Sequence, residues 1–316
     1  MSTSVQRRIP SLTAIVAALT VMIALMLLAL ATPAVHSGAK DLPLAIGGPA
    51  AATAGVAAAF QAQAPGTFTI TRYSSAEQAV QAVRDRDAIG AITVGSTGIS
   101  IVTASGAGAP YVAVLKGIGA GLQASGQTVT YQDVAPLTKD DPAGSGVTAL
   151  ALPLVFGGMA SAVLLSLSRR RPGRRIAASL AFSVLAGLTA TALLEFLFGS
   201  IASNYWLTSV GVMLGIAAIS LTVLGLESLL GYPGLAIGGV TMMFIANPLA
   251  GMATGPWWLP QPWGALGQYL PVGAAGTVIR SMAFFDGRGA THAIVVLACW
   301  IVGGLVLTLA SSRRHG

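Results

Sequence analysis

Charge is scarce in this chain. Only 9% of its 316 residues are Asp, Glu, Lys or Arg, while 54% are hydrophobic. A soluble protein of this length needs far more charge to cover its surface, which excludes an ordinary water-soluble globule. Cysteine is almost absent too. Cys299 is the one thiol, so no intramolecular disulfide forms and every domain must hold on its own core. There is no Gly-x-x-x-x-Gly-Lys-Ser/Thr loop, which excludes ATP binding through a P-loop of its own. The three histidines, His36, His292 and His315, stand too far apart for metal-ligand spacing. No catalytic constellation, cofactor motif or metal site is expected.

The apolar residues are gathered into long runs. About 20 apolar residues cross a bilayer of roughly 30 Å hydrocarbon thickness. Six runs are candidates: 12–35, 147–168, 176–199, 207–226, 235–248 (short, starting near Gly231) and 293–309. The first follows Gln6-Arg7-Arg8 and exceeds a signal-peptide core in length, which favours an uncleaved anchor helix. Residues 36–146 have a different texture. Strand-like runs at 42–46, 67–71, 89–94, 99–103 and 128–131 alternate with helical stretches at 50–63, 75–86 and 110–124, the pattern of an α/β domain with its own core. Residues 251–290, rich in Pro, Gly and Trp, are too broken to span and read as a re-entrant or interfacial helical hairpin.

The expected fold is thus a polytopic α-helical membrane protein of six spans. An extracytoplasmic α/β domain (36–146) lies between the first and second, and the hairpin precedes the sixth. Residues 1–35 hold the N-terminus and first span; residues 147–316 hold the five-helix domain. Basic residues stay cytoplasmic. Arg7 and Arg8, the cluster Arg169, Arg170, Arg171, Arg174 and Arg175, and Arg313 and Arg314 all fall on one side of such a topology, with Glu227 as their acidic companion. Trp206, Trp257, Trp258, Trp263, Tyr205 and Tyr269 fall at the other boundary, where amphipathic rings prefer to sit. Both signals place both termini in the cytoplasm of a cell (plasma) membrane. This distribution of charge argues against nucleic acid as a partner and for membrane lipid.

Few residues carry candidate chemistry. Glu195 is the one carboxylate inside a span; a proton relay or substrate contact is one reading, interfacial solvation or pairing with Arg280 the other. The arginines at 169–175, with Glu227, read either as a topology signal or as a docking surface for a cytoplasmic partner. Gly211 with Gly215, and Gly234 with Gly238, have the spacing of close helix contacts, within one chain or across a dimer. Gly47-Gly48 after a strand is the default strand-to-helix turn, since a full phosphate fingerprint is missing.

The order of parts resembles the ABC-2 type exporter permeases, most closely the phage-infection-protein-like branch. The stretches that carry the likeness are Leu229 to Gly238, Ala246-Asn247-Pro248-Leu249-Ala250-Gly251, Leu259-Pro260-Gln261-Pro262-Trp263, Gly267 to Gly273, and Ile279-Arg280. The resemblance implies a dimer of permeases that exports hydrophobic or amphiphilic compounds, powered by a separate cytoplasmic ATPase in trans. A receptor or assembly scaffold acting through the outer domain is the alternative.

Overall fold

The computed structural model describes residues 11–95, 98–168, 171–202 and 204–312. Helix α1 (Leu12–Val35) is capped by Ser11, whose hydroxyl accepts from the Ala14 amide. It leads into five strands, β1 (Leu42–Gly47), β2 (Phe68–Tyr73), β3 (Gly90–Gly95), β4 (Gly98–Thr103) and β5 (Val129–Asp133), in the order β2-β1-β3-β4-β5. β1 lies parallel to β2 and β3, β3 and β4 form an antiparallel pair, and β5 is parallel to β4. The crossovers are α2 (Ala50–Gln63), α3 (Ala76–Arg84) and α4 (Ala109–Ala124). Ser75 caps α3 through the Gln78 amide, the expected start signal.

Strand alternation sorts the core into two layers. Leu44, Ile92 and Ile101 pack with Leu115 of α4. Ala45, Ala91 and Val102 face the opposite way, onto Ala79, Ala82 and Val83 of α3. The alanines on this face let α3 lie close. Gly47 is part of the same fit, because a Cβ there would sit 2.5 Å from the Ser75 carbonyl oxygen. Gly47-Gly48 is therefore a packed turn. The second layer also takes in Phe285, from far along the chain, so the sheet is sealed by the membrane part of the molecule.

That part comprises α5 (Ser145–Ser166), α6 (Pro172–Leu197), α7 (Tyr205–Leu230), α8 (Tyr232–Ala246), α9 (Trp263–Gly267), α10 (Pro271–Phe284) and α11 (Thr291–Ser312). Asp141 fixes the start of α5 by accepting from the amides of Ser145 and Gly146, both at 2.8 Å. Helix α7 is apolar all round and buried for most of its length, so it forms the axis on which α5, α6, α10 and α11 pack. Lipid offers little drive for helices to associate, and close approach of small residues replaces it. Gly225 and Gly304 bring α7 and α11 together at backbone distance. Gly211 and Gly215 receive α10, while Gly234 and Gly238 of α8 meet Leu226 and Val223 of α7. Both glycine pairs found in the sequence thus serve packing within one chain. Ser220 of α7 adds hydrogen bonds to Ser161 of α5 (2.8 Å) and Ser179 of α6 (2.5 Å).

Among the described residues five helices, α1, α5, α6, α7 and α11, are long and apolar enough to cross a membrane. The architecture is that of a polytopic membrane protein carrying a small mixed sheet. The expected fifth run, 235–248, differs. Helix α8 has nine residues of α-helix followed by six of π-helix, and it ends at Asn247-Pro248. At about 1.5 Å per residue it rises roughly 22 Å, short of the hydrocarbon thickness. It begins beside the C-terminal end of α7, and the loop that follows reaches the sheet domain. The backbone that follows is non-helical and is covered by protein: Met252 is buried against Gly276 of α10. The 251–290 region holds one substantial helix, α10, nearly all of whose residues are buried, preceded by a short 3-10 turn at Pro256–Trp258 and the five-residue α9. By contrast α1 lies almost wholly exposed and touches the Thr241–Ala246 turn of α8.

Candidate functional site

The sheet domain does not hang from a tether. It is clamped onto α10 and the 252–258 loop by a polar joint built around two arginines and a tyrosine. Arg280, on α10, is 5% exposed. Its Nη1 donates to the Gly106 carbonyl at 2.9 Å, and its Nη2 to the Met252 carbonyl, so one guanidinium ties the β4–α4 loop, α10 and the broken loop together. Gly106 must be glycine for this contact, since a Cβ would sit 2.5 Å from the Phe284 ring. Tyr111, at the start of α4, accepts from the Trp257 amide at 3.0 Å and meets Trp258 edge-on. Burial, above all, pushes its phenol well above the usual range, so it stays protonated.

Arg86 arrives from the sheet domain. It follows α3 with φ +65°, an uncommon conformation for a non-glycine residue, and this turns its side chain toward α10. Nη1 donates to the Thr277 carbonyl at 2.9 Å and to the Ser281 hydroxyl, and the guanidinium lies 5.2 Å from the centre of the Phe285 ring. Burial first, and then the charge on Arg280, pull Arg86 down to about 10. Asp85, next to it in the chain, pairs with Arg288 at 3.6 Å, and Asp286, next to Phe285, accepts from Asn204. Arg86 lines a cavity of about 270 Å³ whose walls include Trp257, Gln261, Gln268, Tyr269 and His292.

The residues singled out in the sequence fall in three places. Arg280 belongs to this joint. Glu195 does not pair with it; the arginine is taken up by carbonyls, because the chain turns its α10 face toward the sheet domain and not toward α6. Glu195 lies instead in a π-helical turn, Leu193–Leu197, and its Oε2 is buried with no partner among the described residues. It ends a row of residues at four-residue spacing along α6: Arg175, Ser179, Ser183, Gly187, Thr191, Glu195. Thr191 Oγ1 and, on α7, Ser209 Oγ are likewise buried without a partner.

The third place is the far end of α6 and α7. There Arg175 and Glu227 form an ion pair with each other, their side chains only 12% and 16% exposed. Both candidate docking residues are thus engaged with each other and largely covered. Arg171 and Arg174 remain exposed, while Arg169 and Arg170 lie outside the described residues. Among the described residues no group of three His, Cys, Asp or Glu is placed to hold a metal ion.

In the sequence, Arg86, Tyr111, Gln261 and His292 carry no local mark of a shared site. Arg84-Asp85-Arg86-Asp87 looks like a solvated charged turn, and His292 like a boundary residue. The pattern's one visible oddity is a polar turn of alternating sign beside an apolar strand. A scan against models of protein families finds no match for this chain, and neither does a search of curated proteins or of solved structures.

Proposed function

We propose that this chain is the permease subunit of an ABC-2 type exporter in the cell membrane, moving hydrophobic or amphiphilic compounds outward under the power of a separate ATPase. In this reading the chain crosses the bilayer six times, α8 and its buried extension making the fifth crossing. Both termini are cytoplasmic, the sheet domain and the 251–290 hairpin lie outside, and α10 is re-entrant. The orientation rests on the arginine clusters and the exposed aromatic residues Trp206, Trp257, Trp263 and Tyr269 on the sheet-domain side. The observation that carries the function is the clamp at Arg280. Helix α10 packs on the central α7 and also holds the sheet domain, so a shift of the bundle is transmitted to the outer domain through one rigid joint.

Arg171 and Arg174, exposed at the other end, together with their chain neighbours Arg169 and Arg170, are the arginines left for an ATPase. Replacing Arg169, Arg170, Arg171 and Arg174 by Gln, with Arg175 kept for its ion pair, is expected to abolish co-purification of a P-loop ATPase while the melting temperature stays put. An intact complex in that variant would remove the docking role. A receptor or scaffold acting through the outer domain is the second reading, favoured by the open sheet edges at β2 and β5, whose outer residues are largely exposed. It predicts a bound partner that survives loss of the four arginines.

A further inference from the structure

Two guanidinium groups meet at the joint, and among the described residues no carboxylate is bonded to either. Arg280 is buried and Arg86 partly so; taking a cation out of water is costly, and neutral carbonyls return only part of that cost. The charge is also incompletely used. Arg86 employs Nη1 alone, leaving Nε and Nη2 without an acceptor among the described residues, and Arg280 Nε is buried with none. At the cavity that Arg86 lines, the Gln261 amide, the His292 ring and the Trp257 indole N–H likewise have no hydrogen-bond partner among the described residues. Spare donors of Arg86, Gln261 and Trp257 thus line one cavity in which, among the described residues, no carboxylate answers the guanidinium.

The walls say what kind of anion fits. Trp257 and Tyr269 are exposed apolar faces, with Ala265 beside them. His292 is in the first turn of α11, where the chain becomes continuously apolar, so the mouth opens at the level of the membrane boundary. A volume near 270 Å³ falls just under the roughly 300–1,000 Å³ that encloses a whole small-molecule ligand. It suits a head group whose tail stays in lipid. We infer that the cavity binds the oxyanion head of an amphiphile, a carboxylate or phosphate, anchored by Arg86 with its hydrocarbon tail laid along Trp257 and Tyr269 toward the bilayer. The inference rests on the membrane placement proposed above, and on neither the ATPase nor the direction of transport.

The test uses the purified full chain in phosphatidylcholine nanodiscs without any ATPase, so its outcome is separate from that of the co-purification experiment. A brominated stearate is titrated while tryptophan fluorescence is followed, beside the brominated alcohol of the same chain length and inorganic phosphate. The stearate should quench saturably and at least about tenfold more tightly than the alcohol, the share of one charge-assisted contact. Arg86→Gln should lose a similar factor, and the rim variant Gln261→Leu with His292→Leu roughly threefold. Phosphate should fail to displace the stearate. Equal binding of acid and alcohol would overturn the inference. So would displacement by phosphate at matching concentration, which would mark a site for a free anion. If Arg86→Gln does not fold, the rim variant decides: undiminished stearate binding there overturns the assignment.

Discussion

Arg280→Met will loosen the sheet domain from the bundle. The substitution keeps most of the side-chain volume but removes the donors to the Gly106 and Met252 carbonyls. Each carbonyl left unpaired at a buried site costs about 1–3 kcal/mol. Against this stands relief of the charge repulsion with Arg86 and of the burial of a cation, so the net loss is expected near 2–4 kcal/mol. The loss will be local in its readout. Limited proteolysis should cut at 105–108 and 252–255, where Gly106, Gly108 and Gly255 sit in contacts too tight for a Cβ. Arg280→Lys should fall between, because a point-like ammonium cannot serve two carbonyls as a planar fork does. A variant that melts with the native protein and resists cleavage would show that Arg280 is not the clamp.

The second large effect lies at the opposite end. Glu227→Ala leaves the Arg175 guanidinium mostly buried without its counter-charge, and breaking such a pair from one side costs about 3–5 kcal/mol. Arg175→Met should cost a similar amount. The double variant Arg175→Met with Glu227→Leu should recover most of the loss and come within about 1 kcal/mol of the native chain, since two apolar side chains need no pairing. Thermal unfolding of the three variants in detergent checks this. Two harmless single variants would return Arg175 and Glu227 to the role of free surface charges.

Much of the fold can be read from the sequence because its signals are local. The strands at 42–46 and 99–103 are short apolar runs, one closed by Gly47-Gly48 and the other opened by Gly98, and Ser75 with Gln78 marks a helix start within four residues. The length of the apolar run at 235–248 could not reveal that α8 stops short, because its closing turn is π-helical and the backbone after it is loop sheltered by α10. The same limit hid the joint. Arg86 and Thr277 are 191 residues apart, and the contact depends on a positive φ after α3 and on where α10 lies, neither of which leaves a mark in composition. Arg175 and Glu227 are 52 residues apart, and a cluster of arginines looks the same whether one member is paired or none. Glu195 and Arg280 show the converse error: opposite charges near one boundary invite pairing, but they sit on helix faces turned to different neighbours.

The proposed topology puts the sheet domain and the arginine-rich turn after α5 on opposite sides of one membrane. It is tested most directly by cysteine labelling in intact cells. In a Cys299→Ala background, Gln127→Cys places a thiol on the exposed turn before β5, and Gly173→Cys places one at the start of α6, where a Cβ meets open space. A membrane-impermeant maleimide should label Gln127→Cys in intact cells and Gly173→Cys only after permeabilisation. Labelling of both in intact cells, or of Gly173→Cys alone, would contradict the account.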